Sequence, residues 1–143
     1  ADEVAPGLLL GRLPGSADLD RMGVAAIVDL SAELPCPTGG RHYLNIPMLD
    51  LVPPQPEQLE QAVRAIQSAL ATGKNPVLIC CALGFSRSAL AVVAWLLASG
   101  KVDTPEAAEA VIRQARPAIV LGPEKRAALQ AWWERQARPV PAP

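Results

Sequence analysis

Residues 77–88 of the 143-residue chain are Val77-Leu-Ile-Cys-Cys-Ala-Leu-Gly-Phe-Ser-Arg-Ser88. The apolar start predicts a short buried strand, and the long apolar run that begins at Ser88 predicts a buried helix. Between them, a loop containing Gly84 joins the carboxyl end of the strand to the amino end of the helix. Such a loop collects unpaired backbone N–H groups and the positive end of the helix dipole, so this stretch predicts a site for an anion.

The side chains of this loop, residues 81–87, add a nucleophile and a cation to the predicted anion site. Gly84 lets the backbone bend around a phosphate, and Arg87 carries a planar guanidinium that can bind two phosphate oxygens at once. The same positive surroundings favour the thiolate form of Cys81. A thiolate beside a bound phosphate is suited to in-line attack on phosphorus.

The rest of the chain predicts an α/β fold with a central, mostly parallel sheet flanked by helices. Apolar residues at helical spacing predict a helix over 57–72, and Thr104-Pro105-Glu106 predicts the start of another. The domain is expected over residues 1–137, followed by a disordered Pro-rich tail over 138–143. Strands are predicted over residues 8–11, 25–30, 43–49 and 77–80, and further helices over residues 16–21 and 88–99 and from residue 123.

The string Cys81-x-x-Gly84-x-Ser86-Arg87-Ser88 resembles the signature of the protein tyrosine phosphatase superfamily, in its compact dual-specificity branch. The resemblance extends over nearly the whole chain, from residue 8 to residue 133. It implies that Cys81 attacks phosphorus and that Ser88 assists release of the thiolate in a second step. It also implies that Arg87 and the loop amides hold the phosphate oxygens, the amides being those of Ala82, Leu83, Gly84, Phe85 and Ser86.

The resemblance further implies a general acid, which protonates the leaving oxygen and then activates water against the phosphocysteine. In the dual-specificity branch this acid is an Asp upstream of the cysteine, on a loop that follows a strand. Asp50 lies 31 residues before Cys81 and directly follows the predicted strand 43–49. Asp50 is therefore the expected general acid.

Two positions depart from the pattern of this family. The residue before the catalytic cysteine is usually His there, and in this chain it is Cys80. We expect this change to alter the reactivity of the thiolate, and Cys80 is either a buried strand residue or a redox partner of Cys81. Gly122 stands where the family often has an Asn that stabilises the loop, although Arg116-Pro117 resembles the family's Arg-Pro segment.

Composition and charge narrow the range of partners. The net charge of −1 argues against non-specific binding of nucleic acid through an extended basic surface. Three cysteines, two of them adjacent, are a poor disulfide framework and indicate a reducing, cytoplasmic compartment. The apolar stretch 77–98 is interrupted by polar residues, so no membrane span is expected. The mechanism implied by the resemblance requires no metal and no cofactor.

Two classes of substrate remain open. None of the variable loop positions is basic, which favours a phosphoprotein (Tyr, Ser or Thr) or a simple phosphomonoester over a highly anionic head group. The Ala- and Pro-rich composition indicates a bacterial source, and similar bacterial domains occur fused behind a membrane domain of the phosphatidic-acid-phosphatase type. A lipid phosphate at the cytoplasmic face of a membrane is therefore the alternative substrate.

Two other classes of function are alternatives to hydrolysis. A phosphate-binding module without turnover stays an alternative, although such relatives usually lack the Cys, Arg or Asp that are all present here. A sulfur-transfer domain of the rhodanese type also has a Cys in an anion-binding loop, but Asp50 and Ser88 argue against it. Of the other chemistry-bearing residues, Asp29 is expected to be structural and His42 to be a solvated loop residue.

Overall fold

The computed structural model describes residues 1–32, 38–49 and 52–136. Cys36, Asp50 and the tail expected over 138–143 lie outside these ranges. The α/β class predicted from the sequence is confirmed by the order of the elements. The strands are β1 (Asp2–Ala5), β2 (Leu8–Arg12), β3 (Ala26–Asp29), β4 (His42–Asn45) and β5 (Val77–Cys81). The helices are α1 (Ser16–Met22), α2 (Pro56–Ala71), α3 (Arg87–Ala98), α4 (Pro105–Ala115) and α5 (Pro123–Gln136).

Strand β5 lies at the centre of a five-stranded sheet with the order β1-β2-β5-β3-β4. It pairs in parallel with β2 on one side and with β3 on the other, and β4 is parallel to β3. Among the described strands, β1 alone is antiparallel to its neighbour, β2. The sheet is mostly parallel, as predicted, and Cys81 lies at its carboxyl edge because it ends the central strand.

Successive residues of β5 face opposite sides of the sheet. Leu78 and Cys80 pack in a small cluster with Leu19 of α1. Ile79 and Cys81 pack in a larger core that is completed by residues of α2, α3, α4 and α5. Neither Cys80 nor Cys81 is in a disulfide. The alternation places their side chains on opposite faces of the sheet, and Cys80 is buried within its strand.

Helix α3 forms the centre of the helical layer, as its apolar sequence predicts. Every residue from Arg87 to Leu97 is buried, and the helix contacts α2, α4, α5 and the strands β2 and β5. This burial on all sides fixes the start of α3, and with it Arg87 and Ser88, relative to the sheet. No helix within the described ranges is long and apolar enough to cross a bilayer.

The strand predicted over 43–49 is shorter than expected, because β4 ends before Pro47, which has no backbone N–H. The chain nevertheless continues along β3. The N–H of Ile46 donates to the carbonyl of Asp29 at 2.9 Å, and the N–H of Met48 donates to the carbonyl of Leu30 at 3.1 Å. The segment that leads toward residue 50 is therefore held against the sheet.

Asp29 and His42 lie near the carboxyl and amino ends of neighbouring strands. The carboxylate of Asp29 is 1% exposed and accepts hydrogen bonds from the Tyr43 hydroxyl at 2.6 Å and the Ser31 N–H at 2.9 Å. Its role is structural, as expected. His42 is half-buried in β4, and its Nε2 has no hydrogen-bond partner in the described part of the chain. The expectation of a solvated loop residue is wrong there, because β4 begins at His42.

Helices α4 and α5 are joined by a charged cluster around Glu109. This carboxylate lies 2.7 Å from Arg113, one turn later in α4, and 2.7 Å from Arg126 of α5. The hydrogen bond from Arg126 is the main cause that lowers the pKa of Glu109 from 4.5 to about 2. Ionised Glu109 therefore stabilises the contact between these two helices.

Replacing Glu109 by Gln should lower the free energy of unfolding by about 1–2 kcal/mol at about pH 7. Because the folded-state pKa is depressed, this stabilisation is fully present above 4.5 and is lost as the pH falls toward about 2. Urea unfolding of both proteins at about pH 7 and at about pH 3 should show a smaller difference at the lower pH. The exposed Glu106 of the same helix is the control, and an equal loss in Glu106→Gln would contradict the assignment.

Candidate active site

Cys81 is the last residue of β5, and its sulfur meets the first turn of α3. The Sγ atom lies 3.1 Å from Oγ of Ser88, and the backbone N–H of Ser88 donates to it at 3.4 Å. Both residues are buried. The sulfur therefore lies at the positive end of the helix dipole. The structure thus brings two of the predicted site residues into direct contact.

The middle of the 81–87 loop packs against the end of β2 at Gly84. This glycine has a φ of +74°, in the left-handed region that favours glycine. A Cβ at this position would overlap the backbone of Gly11 and lie 2.6 Å from the nitrogen of Arg12. The glycine predicted to let the loop bend is therefore also required by the close packing of two backbones.

Arg87 is buried at the start of α3, with 4% of its surface exposed. Its Nη1 donates to the carbonyl oxygen of Met48 at 2.9 Å. Met48 is two residues before Asp50 in the sequence. The bond therefore connects the 81–87 loop to the segment that precedes the predicted general acid, whose own position lies outside the described residues.

Arg116 holds the outer side of the loop, a role that sequence reasoning missed. Its Nε donates to the carbonyl of Gly84 at 2.8 Å, and its Nη1 pairs with the carboxylate of Asp2 in β1 at 2.7 Å. Its guanidinium lies 5.4 Å from the centroid of the Phe85 ring, within the range of a cation–π contact. The only sequence signal was the resemblance of Arg116-Pro117 to a family segment, which does not say what the arginine contacts.

Lys125, in the first turn of α5, reaches the loop from another direction. Its Nζ donates to Oγ of Ser86 at 2.5 Å, and the residue is 9% exposed. An ammonium group only donates, so Ser86 Oγ is the acceptor and its own proton points elsewhere. Sequence reasoning identified the loss of a stabilising Asn at Gly122 but missed this lysine, which supports the loop together with Arg116.

Comparison with protein-family models relates this site to a known catalytic domain. The model of the dual specificity phosphatase catalytic domain matches residues 11–135. The chain belongs to the dual specificity phosphatase family. It is 34% identical over 122 residues, or 82% of its length, to dual specificity protein phosphatase 2 of Mus musculus. The chain spans 38% of the length of that relative.

Solved structures of related phosphatases share this fold over nearly the whole chain. Human DUSP28 matches with a TM-score of 0.83 and 27% identity, over 96% of this chain and 98% of that one. Tk-PTP in its active form matches with a TM-score of 0.82 and 30% identity, over 93% of this chain and 95% of that one. The chain therefore carries the catalytic domain of a cysteine-based phosphatase.

Two cavities of this dual specificity phosphatase domain share Ser86 as a lining residue. The smaller has a volume of about 60 Å³ and is lined by Cys81, Leu83, Phe85, Ser86 and Arg87. Because a water molecule occupies about 30 Å³ in the liquid, this space suits a group as small as a phosphate. The larger cavity, of about 460 Å³, extends from Ser86 toward the start of α5. No cluster of three His, Cys, Asp or Glu side chains that could hold a metal lies within the described residues.

Replacing Gly84 by Ala should lower kcat/KM for an aryl phosphate by at least about 10²-fold, because the added methyl displaces the loop from β2. Gly100→Ala is the matched control. Gly100 has the same φ of +74°, but a Cβ there would meet no atom within 4 Å. Circular dichroism should show that both variants are folded, and equal activities in the two would contradict the packing argument.

Proposed function

We propose that the chain hydrolyses phosphomonoesters through a phosphocysteine intermediate. The observation that carries this proposal is the contact of Cys81 Sγ with the hydroxyl and the N–H of Ser88 at the start of α3. It combines a nucleophilic sulfur with the donors of an anion-binding loop. In this proposal the amides of residues 82–86 and the guanidinium of Arg87 hold the oxygens of the phosphoryl group.

In the first step the thiolate of Cys81 attacks phosphorus, and the bond from phosphorus to the leaving oxygen breaks. Asp50, in its protonated form, donates its proton to that oxygen, so a neutral alcohol departs. The hydrogen bond from Arg87 to the carbonyl of Met48 supports this role, because it links the phosphate-binding arginine to the segment that leads to Asp50. This bond uses one of the five N–H donors of the guanidinium.

In the second step water attacks phosphorus, the bond between phosphorus and sulfur breaks, and the carboxylate of Asp50 takes a proton from the water. Ser88, with its Oγ 3.1 Å from the sulfur, donates a hydrogen bond to the departing thiolate. The net reaction converts a phosphomonoester and water into an alcohol and inorganic phosphate. It uses no metal or cofactor, since Cys81 supplies the nucleophile and the loop balances the charge.

We expect the substrate to be a phosphoprotein or a simple phosphomonoester. The relative from Mus musculus is named a protein phosphatase, which supports a phosphorylated Tyr, Ser or Thr. The variable loop positions carry no basic side chain, which disfavours a highly anionic head group. These positions are Ala82, Leu83, Phe85 and Ser86.

A lipid phosphate is the second candidate substrate, favoured by exposed apolar side chains around the loop. Leu83 is 61% exposed, Phe85 37% and Val120 60%. Exposed apolar side chains grouped beside a site are typical of contact with an apolar surface. In this version the domain acts at the cytoplasmic face of a membrane, joined to a membrane domain in a bacterial parent protein.

Replacing Cys81 by Ser should abolish hydrolysis of p-nitrophenyl phosphate, and Asp50→Asn should slow it by about 10²–10⁴-fold. Cys80→Ser is the matched control, because Cys80 packs on the opposite face of the sheet, and it should remain active. Full activity in Cys81→Ser would refute the mechanism. A folded wild-type protein that binds inorganic phosphate without turnover would instead indicate the non-catalytic module.

The two substrate classes are separated by measuring phosphate release from a phosphotyrosine peptide and from phosphatidylglycerophosphate in vesicles. We expect the peptide to be turned over with the higher kcat/KM, because the lipid head group is the more anionic of the two. Cys81→Ser serves as the blank for both reactions. Turnover of the peptide alone would exclude the lipid candidate, and turnover of the lipid alone would exclude the phosphoprotein.

A further inference from the structure

The larger cavity beside the 81–87 loop has no role in the two steps above. Its volume of about 460 Å³ lies within the range of pockets that bind small organic molecules, about 300–1,000 Å³. Its walls come from the segment after residue 52, from the loop, and from the start of α5. The lining residues among those described are Pro53, Ser86, Val120, Gly122, Pro123, Glu124 and Lys125.

The larger cavity shares a lining residue, Ser86, with the smaller cavity beside Cys81, where the proposed mechanism places the phosphoryl group. On another wall, Pro53 follows Asp50 by three residues in the sequence. A group that is bonded to phosphorus beside Cys81 lies next to Ser86 and therefore beside the larger cavity. The larger cavity is therefore available to the alcohol part of the substrate.

Gly122 lines this cavity without a side chain. A Cβ built on Gly122 would meet no atom within 4 Å, and the backbone there is outside the left-handed region. A side chain is therefore sterically permitted, and the absence of one leaves open volume. The position that often carries an Asn in this family is, in this chain, part of the wall of a pocket.

The walls of the pocket favour an apolar occupant over a charged one. Its cation, Lys125, is already bonded to Ser86 Oγ at 2.5 Å, and Glu124 beside it carries the opposite charge. Val120 is 60% exposed and presents apolar surface that a ligand can cover. The two prolines of the lining add further apolar surface.

We infer that the larger cavity is a leaving-group pocket that selects phosphomonoesters whose alcohol part has an extended apolar body, alkyl or aryl. This inference rests on the proposed function, since the occupant is the leaving group of that reaction. Each methylene buried in the pocket should raise kcat/KM by about two- to fourfold. The gain should end when the pocket is filled.

Phenyl phosphates with a para-alkyl chain of up to about six carbons test this inference, because each methylene adds buried apolar surface. The alkyl group leaves the acidity of the departing phenol nearly unchanged, so the chemical step stays constant along the series. The measured quantity is the ratio of kcat/KM for the longest-chain and the unsubstituted substrate. We expect this ratio to be about 10-fold or more in the wild-type protein.

Gly122→Trp should fill the pocket and reduce that ratio to near one. A general loss of activity lowers kcat/KM for both substrates equally, so it does not change the ratio. The control is Val111→Trp. Val111 is also exposed, at 38%, but it lies in α4 and does not line the pocket. This control should keep the ratio of the wild-type protein.

The outcomes separate the pocket from the proposed function. If the wild-type protein hydrolyses phenyl phosphate but the ratio is near one, the larger cavity is not a leaving-group pocket, and the proposed function is unaffected. If the wild-type protein hydrolyses none of the substrates, both the proposed function and the leaving-group pocket are refuted. A high ratio that survives Gly122→Trp also overturns the pocket.

A second set of substrates shows whether the pocket prefers an acyl chain or an aryl group. Lysophosphatidate below its micellar concentration supplies an acyl chain, and the alkylphenyl phosphates supply an aryl group. A preference for either one that is lost in Gly122→Trp supports the pocket and identifies the source. If kcat/KM instead rises only with apolar residues that flank a phosphotyrosine in a peptide, and Gly122→Trp has no effect, the apolar contact lies outside the pocket and the inference is wrong.

Discussion

The close contact between the backbone at Gly84 and the end of β2 is the constraint on which the rest of the site depends. No side chain fits between them, so the 81–87 loop lies as near to the sheet as backbone atoms allow. Arg116 and Lys125 hold the loop from the outside, at the carbonyl of Gly84 and the hydroxyl of Ser86. The donors of the loop are therefore oriented before an anion arrives, which is the condition under which such donors contribute most to catalysis.

The charge of the chain as a whole says little about this site. The net charge is −1, yet three cations from different elements converge on the loop. Arg116 is paired with a carboxylate, that of Asp2. Arg87 donates to the backbone oxygen of Met48, and Lys125 donates to the hydroxyl oxygen of Ser86. Three basic side chains are therefore grouped at one loop of a chain whose net charge is close to zero.

Features with a strong local signal could be predicted from the sequence, and features created by long-range contacts could not. The apolar spacing of α2 and the Thr-Pro start of α4 are local, and both helices lie where they were expected. Strand β1 was missed, because its four residues, Asp-Glu-Val-Ala, form a strand through their pairing with β2. In the site, Cys81, Arg87 and Ser88 share one motif, whereas Lys125 reaches Ser86 across 39 residues without a local pattern. Asp50 stays a prediction.

The ion pair between Asp2 and Arg116 joins residues 114 positions apart, and Arg116 is also the residue that holds Gly84. Long-range contacts of this kind form late, because closing a long loop costs entropy before any contact compensates for it. The support that Arg116 gives to the 81–87 loop therefore depends on an edge strand, β1, that is distant in the sequence. In a folding experiment, recovery of enzymatic activity would mark the closure of the whole domain, while the central strand and α3 could form earlier.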